Sequence, residues 1–87
     1  MMDELERYRK KVDEIDDQIL KLFTERVKIC MAIGLVKKKR GKNVRDVSRE
    51  KEVYQRVKEK SAELGLDSQR VEAVYREIVN MCSAVQE

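Results

Sequence analysis

An alternation of three- and four-residue steps runs unbroken through the first half of this chain. It passes through Leu5, Tyr8, Val12, Ile15, Ile19, Leu22, Arg26, Ile29, Ile33 and Val36. Residues 4–39 hold no Pro and a single Gly, so nothing interrupts one long amphipathic α-helix, about 50 Å from end to end. Of the ten seam positions, nine are apolar and the tenth is Arg26. A permanent cation in an apolar seam is either paired, snorkelled to water, or waiting for an anion.

After the long helix the sequence GKNVRDVS reads as a turn, in which Asp46 or Ser48 is placed to cap a second helix. That helix carries a stripe of Val53, Tyr54, Val57, Ser61 and Leu64, and Gly65 stands where a left-handed C-terminal cap belongs. Asp67 then caps a third helix with Val71, Val74, Tyr75, Ile78, Val79, Cys82 and Val85 on one side. The expectation is an all-α fold in a single domain spanning residues 1–87, with one long and two short helices. The short helices, of roughly 16 and 20 residues, span only about 24 and 30 Å, too little to cover a seam that is apolar from Leu5 to Val36. A second copy of the chain is the economical cover, giving an intertwined antiparallel homodimer with a shared core.

Composition excludes several function classes. The chain has no His and no Cys-x-x-Cys pair, which removes the usual zinc site and the usual neutral-pH general base; no metal or cofactor is called for. Cys30 and Cys82 fall within apolar helical patterns and read as buried reduced thiols, which suits a cytoplasmic protein. Twenty Lys and Arg against 17 acidic residues leave only +3, far from the profile of a nucleic-acid binder. No apolar run approaches a membrane span, and the charged start of the chain lacks a signal-peptide core. In the basic run KKKRGK at 37–42, Lys38, Lys39 and Arg40 are accounted for by cations favoured at a helix C-terminus, with a nuclear-localisation or phosphate-binding segment as the alternative.

The charges nonetheless gather. Lys37 follows Arg26 by eleven residues, about three turns, so both point to nearly one face some 16 Å apart along the axis. Two long side chains at that separation could grip opposite ends of one small dianion. Arg9 lies about 25 Å away in the other direction, too far to join them within one chain, whereas an antiparallel partner would return its own Arg9 to that region. In VRDVSRE, Glu50 extends the second helix's stripe backward and so faces inward; on the third helix Gln86 follows Cys82 by four and Val79 by seven and shares their side. Gly34, inside a helix at a cost of about 1 kcal/mol relative to Ala, is either a point where backbone approaches a ligand or a tolerated surface glycine.

The succession RKKVDEID, ERVKI, Gly34 to Lys37, VRDVSRE and Gln86 resembles the all-helical chorismate mutases across nearly the entire chain. The resemblance implies conversion of chorismate to prephenate, an intramolecular [3,3] rearrangement in aromatic amino-acid biosynthesis that needs no nucleophile and no proton transfer. It makes Arg26 and the partner's Arg9 the carboxylate clamps, with Arg49 a further cation. It makes Lys37 and Gln86 the donors to the ether oxygen. It assigns Glu50 to the ring hydroxyl, helped by the backbone around Asp46. The position four before Gln86 commonly carries a Ser that bonds a carboxylate; here it is Cys82, a weaker donor. Two alternatives accompany this reading: an isochorismate-pyruvate lyase of similar fold, and a non-catalytic helical dimerisation module.

Overall fold

The structure, a computed structural model, describes residues 3–87. Three helices make up the fold: α1 (Glu4–Lys39), α2 (Val47–Glu63) and α3 (Ser68–Gln86). Each begins at an aspartate whose carboxylate takes up a backbone N–H of the first turn: Asp3 accepts from Glu6 at 2.8 Å, Asp46 from Arg49 at 3.0 Å and Asp67 from Arg70 at 3.2 Å. Of the two caps proposed for α2, Asp46 is the one used. Glu4 and Glu6 in the first turn of α1 and Lys37, Lys38 and Lys39 in its last match the ends of its macrodipole.

Glycine terminates where left-handed backbone is required. Gly65 (φ +75°) donates to the Ala62 carbonyl at 3.2 Å and lets Leu66 reach the Ser61 carbonyl at 2.9 Å, closing α2 and turning the chain into α3. Gly41 (φ +65°) does the same after α1, where Lys42 donates to the Lys37 carbonyl at 2.8 Å.

The third helix is the hub. It packs against both α1 and α2, whose backbones, among the described residues, make no close approach to each other. The buried side chains are therefore few and cluster around α3: Ile78, Val79 and Cys82 from α3 itself, Cys30 from α1 and Ser61 from α2. Ser61 is satisfied by donating to the Val57 carbonyl at 2.6 Å.

The N-terminal half of α1 extends beyond this cluster with its apolar seam uncovered. Leu5, Tyr8, Val12, Ile15 and Ile19 are all exposed, as are Leu64 and Val74 from the predicted stripes of the shorter helices. A radius of gyration of 16.6 Å compares with about 12 Å for a compact domain of this length. The accessible surface, 7511 Å², exceeds the roughly 5,400 Å² of a compact 10 kDa monomer. Among the described residues no helix is long and apolar enough to cross a membrane.

Candidate active site

All three helices contribute to one cavity of about 340 Å³. Arg26, Cys30, Ile33 and Lys37 come from α1 at spacings of four, three and four, so a single helical face forms one wall. The turn and first turns of α2 supply Val44, Asp46, Arg49, Glu50 and Val53; the last turns of α3 supply Val79, Cys82, Ser83 and Gln86. Seven of the eight residues expected at the site thus share one cavity. Arg9 is the exception: it is exposed near the start of α1, about 25 Å along the axis from Arg26.

Lys37 and Gln86 meet directly. The Lys37 ammonium donates to Gln86 Oε1 at 2.7 Å and to the Val44 carbonyl at 2.5 Å, joining α1 to the end of α3 and to the turn before α2. Gln86, although next to the last residue, is helical and half-buried. Gly34 accounts for the closeness of that packing. It is buried, and a Cβ there would lie 2.9 Å from the Gln86 Cα. Its role is thus neither of those expected from sequence, since the backbone it admits is that of α3.

Arg26, half-buried, donates from one guanidinium nitrogen to the thiols of both Cys82 and Cys30. No carboxylate within the described residues forms an ion pair with it. Of the alternatives for a cation in the seam, pairing with an acid of the same chain is therefore set aside. Burial pushes the Cys30 thiol from 9.0 up to about 11, and the neighbouring Cys82 thiol adds to the effect; Arg26 and Lys37 pull the other way and are outweighed.

Glu50 does face inward, with 17% of its side chain exposed, and its Oε1 accepts from Arg45 at 2.9 Å. Arg49 is more exposed and pairs with Glu52 at 3.2 Å. Sequence reasoning missed Arg45, which stands beside the expected residues in VRDVSRE, and Cys30, which a four-residue step from Arg26 would have placed on the same face.

A family model described as chorismate mutase type II matches residues 8–87. The chain belongs to that family. It is 31% identical over 86 residues to a chorismate mutase of Methanocaldococcus jannaschii, covering 99% of this chain and 87% of that one. It is also 33% identical over 88 residues to a bifunctional chorismate mutase/prephenate dehydratase of Aquifex aeolicus, covering 98% of this chain but only 24% of that protein's length. Among solved structures, a conserved hypothetical protein from Pyrococcus furiosus superimposes with a TM-score of 0.77 at 29% identity, each chain being covered in full. The cavity holds three cations, Arg26, Lys37 and Arg49, together with the carboxylates Asp46 and Glu50.

Proposed function

We propose that this protein is a chorismate mutase, a single-domain isomerase converting chorismate to prephenate in the cytoplasm, and that it works as an antiparallel homodimer. The observation that carries the reading is the placement of Arg26 and Lys37 on one wall of a cavity that Gln86 also lines, bonded directly to Lys37.

The chemistry needs two things from the protein. The flexible dicarboxylate must be held in its compact, pseudo-diaxial conformer, which fixed guanidinium groups achieve by gripping both carboxylates. Negative charge that builds on the ether oxygen as the C–O bond breaks must meet donors already in place. Arg26 is the clamp within the chain. Its nearest partners here are two weakly accepting thiols, which a carboxylate readily outcompetes. Lys37 serves as the charged donor to the ether oxygen. Because Gln86 Oε1 already accepts from Lys37, its Nε2–H₂ group is left to serve as the second donor. Glu50 receives the ring hydroxyl, and Asp46 and Arg49 complete the same wall.

Assembly supplies what a single chain lacks. The lining cations Arg26, Lys37 and Arg49 stand against Asp46 and Glu50, a net +1 for a substrate of charge −2, and the partner's Arg9 brings the balance to +2. Two surfaces support the pairing. The exposed half of α1 is apolar along its seam, and residues 3–20 carry seven acidic side chains against the four basic ones Arg7, Arg9, Lys10 and Lys11, a net −3. A groove between α2 and α3, adjoining Arg26, is apolar at Val53, Val57 and Tyr75 and basic at Arg49, Arg56 and Lys60.

The decisive experiment adds purified protein to chorismate and follows the loss of its absorbance, with prephenate identified chromatographically. Sedimentation reports the size of the active species. Pyruvate release from isochorismate, or the absence of any turnover, would overturn the assignment.

A further inference from the structure

Arg45 does not line the cavity, yet it holds one of the residues that does. Its Nη1 donates to Glu50 Oε1 at 2.9 Å and its Nη2 to Asn80 Oδ1 at 2.8 Å. One guanidinium thus ties the start of α2 to the second-last turn of α3 across the outside of the site. From this geometry, and resting on the functional reading above, we infer that Arg45 is a positioning residue that sets Glu50 for the substrate's hydroxyl.

Two consequences follow from the fork. First, with Oε1 held from outside, Glu50 has a fixed side-chain direction and presents its second oxygen to the cavity, so its acceptor is in place before substrate arrives. Second, Arg45 stands outside the cavity, so it holds Glu50 without adding to the cations that line the site. Asn80 contributes by fixing the Arg45 fork in turn. Only a planar, two-pronged donor reaches both partners; a Lys has one nitrogen to offer them.

A contact to a hydroxyl that persists unchanged through the reaction is uniform binding, which appears in KM and not in kcat. With Arg45 about half exposed, its loss should raise KM about fivefold while kcat stays within about a factor of two. The test measures both constants for Arg45→Ala, Arg45→Lys, Glu50→Gln and the double variant Arg45→Ala/Glu50→Gln. Arg45→Lys should recover part of the KM change. In the Glu50→Gln background, removing Arg45 should add almost nothing.

A merely structural role would lower kcat through loss of folded enzyme and would persist in that background. An unchanged KM in Arg45→Ala, or an undiminished effect beside Glu50→Gln, overturns the inference. Should the wild type not convert chorismate at all, the functional reading falls, and the clamp is judged separately on the Asn80 side-chain amide resonance. That resonance moves in Arg45→Ala if the fork exists in solution and stays in place if it does not.

Discussion

Arg9→Ala and Lys37→Ala together test whether each site is built from two chains. Arg9 is some 25 Å along α1 from Arg26, beyond the reach of any side chain, so it can serve a site only in trans. Lys37 sits in its own chain's cavity, bonded to Gln86 and Val44. Removing one preorganised donor of this kind costs about 3–4 kcal/mol of barrier, or a factor of about 10²–10³. Each variant alone should therefore retain about 1% of wild-type kcat/KM or less. When the two are unfolded together in equal amounts and refolded, half of the dimers are mixed. In a mixed dimer one site carries both substitutions and the other carries neither, so about a quarter of wild-type activity should return. If Arg9 acted within its own chain, every site in the mixture would keep one lesion and activity would stay near 1%. That flat outcome, with sedimentation confirming mixed dimers, would refute the shared site.

Three further outcomes are expected. Arg26→Ala should lower kcat/KM by at least about 10² with little change in melting temperature, since Arg26 makes no ion pair within the chain; near-normal turnover would remove it from the site. Gln86→Glu replaces an amide that never titrates with a carboxyl that donates only when protonated, so activity should fall at pH 8 and recover as pH drops into the carboxylate range, as a pH–rate profile would reveal. Cys30 has a folded-state pKa raised from 9.0 to about 11, so its stabilising share is present below pH 9 and is lost between pH 9 and 11, where the unfolded chain gives up its proton first. The melting temperature of Cys30→Ala should therefore decline less steeply over that interval than that of the wild type.

How much of this the sequence could reveal depended on the range of each interaction. Helix ends were readable because caps are local. Asp46, Asp67 and Gly65 act on backbone groups within three or four residues, and the structure has them doing so. The direction of Arg26, Lys37, Glu50 and Gln86 was readable because helical periodicity fixes which side a residue faces. Which partner each one meets was not. The Lys37–Gln86 bond spans 49 residues and the Arg45–Asn80 bond 35, and both depend on how closely α3 approaches, a distance that no periodicity encodes. Gly34 illustrates the limit: a glycine within a helix reads equally as a tolerated surface residue, and only the packing identifies Gln86 as the backbone that arrives.

On the proposed reading, the feature that leaves the lone chain poorly covered also leaves its site short of charge. Few side chains are buried, and the surface stands well above that of a compact monomer, because the first half of α1 extends away from α3. That half carries both the exposed seam and Arg9. The antiparallel association proposed above, with the seam of one chain laid on the α2–α3 groove of another, would bring the Arg9-bearing end of α1 toward the cavity containing Arg26. A helix short enough to be covered by α2 and α3 alone would give a better-buried monomer, with no segment left over to deliver a cation from outside. On the proposed reading, the length of α1 couples stability to substrate recognition. An Arg in the seam would then be tolerated because it lies where the apolar contact between chains gives way to the site.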